Sequence, residues 1–164
     1  MTLLLSTLST PIGNLNLIAD EHILLAANLS NLKALKESLS QEDSERDVKN
    51  VSRIPIITDL ISDYFEGDIA ALNAISVRQP GAHFSQEAWK AMKKVKAGKV
   101  ISYSELAERA GSPAAVRAAG SACAKNAIVL IVPCHRIVKT GGALGNYAYG
   151  LDKKAWLLRH EGAL

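Results

Sequence analysis

Short apolar runs separated by turn residues open the chain. Residues 2–8 and 15–19 read as strands joined by the turn Thr10-Pro11-Ile12-Gly13-Asn14, and Ile23 to Leu29 is a third apolar run. Three such runs predict an antiparallel hairpin or meander. The period then changes: Leu32, Leu35 and Leu39 mark a helical stripe after a Ser30 cap. Residues 40–50 show no period and predict a solvated loop. Leu60, Ile61, Tyr64 and Phe65 form a second helical face closed by Gly67, and residues 69–77 offer a further strand. Arg78-Gln79-Pro80-Gly81 reads as a linker.

Beyond the linker the pattern is mostly helical. Phe84 and Trp89 can staple a helix around a Ser85 N-cap, with Ala88, Met92 and Val95 as its apolar face and Gly98 as its end. Ser102-Tyr103-Ser104-Glu105 is a capping box that opens a short helix through Ala110. Gly111 breaks it. Ser112 can cap a second helix with Pro113 at its first position, running to about Asn126. Two short helices around a Gly-containing turn are a helix-turn-helix pattern, with Ala107, Gly111 and Val116 at its small, turn and core positions. An ordinary helical pair fits the bare pattern equally well. A last helix from about Asp152 turns Leu151, Ala155 and Leu158 inward, with Trp156 nearby. The predicted fold class is α+β. A small N-terminal antiparallel-sheet-plus-helix domain spans 1–79, and a mainly helical C-terminal domain with a helix-turn-helix spans 80–164.

Composition changes this picture little. A chain of 164 residues with 48% apolar content suits one compact unit or two small domains. Two cysteines, Cys123 and Cys134, argue against a disulfide-stapled secreted fold, and no Cys/His cluster offers four metal ligands. The first residues lack a positive n-region and no apolar run approaches membrane-spanning length, so a cytoplasmic protein with no membrane role is expected.

Charge changes it more. Residues 80–164 carry thirteen Lys/Arg against five Asp/Glu, net +8, while residues 1–79 are net −5. Lys90, Lys93, Lys94, Lys96 and Lys99 supply much of the excess. A basic half joined to an acidic half points to a polyanionic partner, although solvated basic helices would give the same count.

Two stretches carry candidate chemistry. In Ile131-Val132-Pro133-Cys134-His135-Arg136-Ile137-Val138, an apolar context and a rigid proline hold a thiol beside an imidazole. A nearby base or positive charge favours the thiolate, which makes Cys134 a candidate nucleophile; a small buried hydrophobe is the plain alternative. The helix after Pro113 is nearly bare: Ala114, Ala115, Ala118, Ala119, Gly120, Ser121, Ala122 and Ala124 flank one large side chain, Arg117. Such a surface allows close backbone approach, either for helix packing or for insertion into a DNA groove.

Taken together, Pro133-Cys134-His135-Arg136, Tyr103, Ala115-Val116-Arg117-Ala118-Ala119-Gly120, Asn126, Gly145-Asn146-Tyr147, Gly150-Leu151 and Leu157-Leu158-Arg159-His160-Glu161 resemble the O6-alkylguanine-DNA alkyltransferases in order and spacing. The resemblance covers Phe84 to Gly162, about half the chain; the first eighty residues match only loosely. It implies a DNA repair protein that flips O6-alkylguanine out of duplex DNA and transfers the alkyl group irreversibly to Cys134. It implies double-stranded DNA as the partner, with O4-alkylthymine as a further candidate lesion, a monomer in solution and no cofactor. In the residues that match, His135 takes the thiol proton through a water, Glu161 orients the imidazole, and Asn126 braces the turn. Arg117 fills the gap left by the rotated nucleotide, and Tyr103 assists rotation and contacts the base. Ala115, Val116 and Gly120 belong to the helix that enters the minor groove. Ile137, Tyr147, Ala148 and Tyr149 belong with Tyr103 to the guanine pocket.

Three positions depart from the family's pattern. Ala127 stands where proline is usual, which loosens the expected turn. Ala148 offers only a backbone N–H where a hydroxyl is common. Tyr149 is bulky, so large alkyl groups are expected to fit less well. Two other readings compete. A lesion-binding alkyltransferase-like module would lack the cysteine, and a cysteine hydrolase using Cys134, His135 and Glu161 would leave Arg117 and the bare helix unexplained.

Overall fold

The computed structural model describes residues 2–164, and the chain divides into two compact units. The first runs to Pro80 and also takes in Ala127–Ile131; the second comprises Gly81–Asn126 and Val132–Leu164.

The first unit is built on a five-stranded sheet whose strands lie in the order β4 (Val48–Asn50), β1 (Leu3–Thr10), β2 (Gly13–Asp20), β3 (Ile23–Asn28), β5 (Ser76–Val77). Strands β1 (Leu3–Thr10), β2 (Gly13–Asp20) and β3 (Ile23–Asn28) form the expected antiparallel meander, with a bulge at Ile18/Ala19. The first turn is tighter than the sequence suggests: β1 pairs to Thr10 opposite Gly13, leaving Pro11 and Ile12 as the corner. Helix α1 (Leu32–Glu37) packs Leu35 into a core with Leu3, Leu5, Ile18, Leu25 and Ala26. Its cap is Asn31 rather than Ser30, the Asn31 side chain accepting from Ala34 N.

Residues 40–50 are not a loop. Ser40 caps a single helical turn, α2 (Gln41–Ser44), and β4 (Val48–Asn50) adds in parallel to β1. Arg46 reaches Asp20 with two bonds, at 2.9 and 3.0 Å, and Asp43 at 3.1 Å, while Arg78 bonds Asp43 at 3.0 Å. The pairs to Asp20 and from Arg78, distant in the chain and absent from any local period, hold the segment. Helix α3 (Ile57–Phe65) follows, buried at Ile57, Ile61 and Tyr64. The strand expected over 69–77 shrinks to β5 (Ser76–Val77), preceded by a tight helical turn at Ala71–Ala74.

The second unit is mainly helical. Helix α4 (His83–Lys93) begins earlier than expected; Ala82 occupies the cap and Ser85 lies inside the first turn. It ends at Lys93, short of Gly98. Ala88, Trp89, Met92 and Val95 are buried as the pattern requires. Gly81 is needed for the approach of Trp89, since a Cβ there would lie 2.6 Å from the indole. Strand β6 (Ile101–Ser102) leads into α5 (Tyr103–Arg109), where Ser102 caps Glu105 N at 3.1 Å. Ser112 and Pro113 do not start the next helix. Ala115 N bonds Ser112 O at 2.9 Å to make a turn, and α6 (Val116–Ala124) begins without a side-chain cap. Val116, expected in the core, is 38% exposed. Strand β7 (Ile137–Val138) pairs in parallel with β6, and α7 (Leu151–His160) closes the chain. Leu151, expected to point inward, is 47% exposed, whereas Ala155, Leu157 and Leu158 are buried. No helix among the described residues is long and apolar enough to cross a membrane.

Candidate active site

Cys134 sits just past a sharp corner. Pro133, at φ −83° and ψ 67°, makes an inverse γ-turn closed by Cys134 N to Val132 O at 2.8 Å. The thiol is buried, 8% exposed, at the base of a cavity of about 610 Å³. Asn126, just beyond the end of α6, donates through Nδ2 to Val132 O at 2.8 Å and to Cys134 Sγ at 3.4 Å. One amide thus ties the corner and touches the sulfur. Burial pushes the thiol pKa up; the Asn126 bond and the charge of Lys154 oppose it.

Behind the thiol lies a buried charged group. His135 Nε2 meets Glu161 Oε2 at 2.8 Å. Arg136 grips the same carboxylate through Nε to Oε1 at 2.9 Å and Nη2 to Oε2 at 3.0 Å, and donates Nη1 to Val95 O at 2.7 Å. Burial alone would raise the Glu161 carboxyl, but the bonds and charges of His135 and Arg136 hold it well below the usual carboxylate range. Burial pushes the His135 imidazole down, only partly offset by Glu161. The pair is therefore a neutral imidazole against an ionised carboxylate. That fixes the tautomer: Nε2–H donates to Glu161, and Nδ1 keeps its lone pair. Nδ1 is buried and has no hydrogen-bond partner among the described residues.

Lys154 is fully buried on α7, yet its ammonium donates to Ile137 O at 2.6 Å and Asn146 O at 3.1 Å. Burial pushes its pKa down, while the charges of Cys134 and Cys123 pull it up. The lysine joins the strand after the Cys-His turn to the glycine-rich loop. Gly145 in that loop has φ +77°, and a Cβ there would stand 3.0 Å from Tyr103 Oη. Tyr103 is held by the Asn146 backbone; burial first, then the charge of Cys123, raises its pKa.

The cavity is lined by Tyr103, Val116, Arg117, Gly120, Ser121, Cys123, Ala124, Cys134, Asn146, Tyr147 and Ala148. It thus gathers Cys134, Tyr103, Arg117, Val116, Gly120, Tyr147 and Ala148 of the residues singled out from sequence. Ile137 and Tyr149, expected in the pocket, are not among its lining residues. Ile137 is fully buried, and Tyr149 packs edge-on against Tyr147 with ring centroids 5.7 Å apart. Ala115 caps α6 without lining the cavity. Arg117 is exposed and has no ion-pair partner among the described residues, so a surface salt bridge does not account for it. Cys123 also faces the cavity, and burial pushes its thiol pKa up to about 12. Ala127 uses the N–H that a proline would lack, donating to Gln79 Oε1 at 2.8 Å.

The sequence pattern assigns no role to Arg136 or Lys154 and only a packing role to Trp89. Trp89 Nε1 donates to Ala122 O at 2.9 Å, satisfying a carbonyl in the last turn of α6. A signal existed for Lys154, which falls at helical spacing between Leu151 and Leu158, on the apolar face.

The chain is similar to known proteins. Residues 83–163 match the family described as 6-O-methylguanine DNA methyltransferase, DNA binding domain. The chain is 35% identical over 170 residues to the methylated-DNA–protein-cysteine methyltransferase of Salmonella typhimurium, covering 100% of this chain and 98% of that one. It is 53% identical over 77 residues to the human methylated-DNA–protein-cysteine methyltransferase, covering 47% of this chain and 37% of that protein. Among solved structures, Mycobacterium tuberculosis OGT in complex with DNA superposes with a TM-score of 0.79 at 29% identity, covering 98% of this chain and 93% of that one.

Proposed function

The chain belongs to the methylated-DNA–protein-cysteine methyltransferase family, and from that premise we propose that it repairs alkylated DNA by moving the alkyl group from guanine O6 to its own Cys134. The observation that carries the reading is a buried thiol, bonded by Asn126 and backed by the His135–Glu161–Arg136 group, at the base of a cavity walled by a helix of small residues.

Each step has a residue suited to it. The O6 substituent lies within the stacked duplex, so the base must leave the stack to reach a buried sulfur. Arg117, exposed and unpaired on the cavity wall, fills the space the nucleotide vacates; its planar guanidinium stands in for lost stacking. Ala115, Val116 and Gly120 let α6 approach the minor groove closely. Tyr103, Tyr147 and Ala148 flank the entering base. The thiol proton passes through a water to Nδ1 of His135, the nitrogen left basic by the Nε2–Glu161 bond. Glu161 stabilises the imidazolium that forms, the division of labour of a hydrolytic triad. The thiolate then forms a bond to the alkyl carbon as the carbon–O6 bond breaks, and guanine leaves with the electron pair. Tyr103 donates a hydrogen bond to the departing base. The product is a thioether, so each molecule reacts once.

The test is intact mass after mixing protein with a duplex bearing one O6-methylguanine. Wild type is expected to gain a single methyl, mapped to Cys134 and equal in amount to the lesion, and Cys134→Ala none. Tight lesion binding without a mass change would instead favour a binding module. Turnover of an acyl substrate without DNA would favour a hydrolase.

A further inference from the structure

Most of the positive charge in the second unit lies away from α6. Within Val116–Ala124 the only cation is Arg117. On α4 and the turn after it stand Lys90, Lys93, Lys94, Lys96 and Lys99, with Glu87 the one acidic residue between His83 and Ser104. Lys93 is half-buried; the other four are exposed.

Packing sets where this charge points. Helix α6 turns Ala119 and Ala122 inward, and α4 meets that inward side, Trp89 bonding Ala122 O. The cavity side of α6, with Arg117 and Gly120, is a different face. The lysines of α4 therefore project from the side of the helix pair remote from the cavity. There a groove of about 430 Å³ has Lys90, Lys94, Arg109, Ala110, Gly111 and Glu87 among its lining residues. Glu87 pairs with Lys90, and Glu105 with Arg109, each at 3.5 Å on the surface. Such exposed pairs are weak and give way to phosphate. Lys94 has no ion-pair partner among the described residues.

We infer that α4 and this groove bind the phosphate backbone of a second duplex segment while the first lies on α6. The inference rests on α6 being the lesion face. A duplex has a persistence length of about 150 base pairs, so the segment on α6 does not fold back to reach α4. One molecule can then hold two segments and pass from one to the other without full release.

The experiment mixes donor-labelled and acceptor-labelled short undamaged duplexes with the full chain in excess DNA. Energy transfer between duplexes is expected at low salt, in complexes of one protein and two duplexes by sedimentation. The triple variant Lys90→Gln, Lys94→Gln, Lys96→Gln is expected to lose this signal, with the salt slope of second-duplex binding falling by about 0.9 per phosphate contact removed. At protein concentrations that saturate the lesion, its methyl transfer to a single damaged duplex should match wild type. Absence of energy transfer with wild type overturns the inference. So does a complex of two proteins and two duplexes, or equal loss of single-duplex binding in the triple variant. Because the duplexes are undamaged, failure of methyl transfer by wild type would count against the repair reading and leave the bridging result intact.

Discussion

Glu161 is the residue on which the buried charges depend. It answers both His135 and Arg136, and Glu161→Gln leaves the guanidinium without its counter-charge. Breaking a buried pair from one side typically costs about 3–5 kcal/mol, so the denaturation midpoint of Glu161→Gln should fall sharply; a change within error would mean that the pair contributes nothing. The same group sets a pH dependence. The folded His135 pKa lies below the ordinary value of about 6.5, so the unfolded chain takes up a proton first as pH drops. Stability from this residue is full above about 6.5 and is lost as pH falls from there towards the depressed value. Glu161, also depressed, contributes stability above the ordinary carboxylate range that is lost at lower pH still. Urea midpoints between neutral pH and pH 5 should slope downward for wild type and flatten in His135→Gln. An equal slope in both would assign it elsewhere. Cys134 and His135 could be picked out from sequence because their chemistry lies in adjacent letters. The parts played by Arg136 and Lys154 could not: the spacing of Lys154 hints that it is buried, but what a buried charge does is defined by partners distant in the chain.

Helix α6 joins two demands. Its small residues make it a poor packer, and Gly120 lowers helix stability by about 0.5–1 kcal/mol relative to alanine. A Cβ at Gly120 would meet nothing within 4 Å. Gly120→Ala should therefore raise stability by that amount while weakening DNA binding, because the added methyl stands on the cavity wall. A variant both more stable and unchanged in DNA affinity would remove close groove approach as the reason for the glycine. At the far end of the same helix, Trp89→Phe withdraws the indole from Ala122 O and should cost about 1–3 kcal/mol in thermal or chemical denaturation. Elements with a local signature were readable: the Ser102 box, the α4 face and the first three strands. The caps at Ser30, Ser85 and Ser112 were misplaced because serine suits several neighbouring positions, and tertiary packing chooses among them. Strand β4 was invisible because three exposed residues owe their pairing to β1 alone.

The opposed charges of the two halves, net −5 and +8, fit the proposal that the second half meets the DNA. Observed affinity for duplex should fall linearly with the logarithm of salt concentration, and Arg117→Ala, which removes a group proposed to sit among the bases, should weaken binding while leaving that slope nearly unchanged. A slope reduced by about 0.9 would put the guanidinium on a phosphate and overturn its stacking role. The sequence also suggested an uninterrupted C-terminal half, but the chain leaves the second unit after Asn126 and returns at Val132. In between, Ala127 and Val129 bond the backbone of Ala27, and Ile128 to Ile131 are all buried. No local period announces such a detour. It bears on attempts to shrink the protein to a reagent. A fragment from Gly81 onward keeps every residue of the cavity, yet it strips the cover from Ala127-Ile128-Val129-Leu130-Ile131, five uncharged residues rich in β-branched side chains. Such a ribbon invites strand-to-strand stacking between molecules. A soluble minimal version would need those five positions rewritten as a polar bridge that still brings Asn126 to Val132.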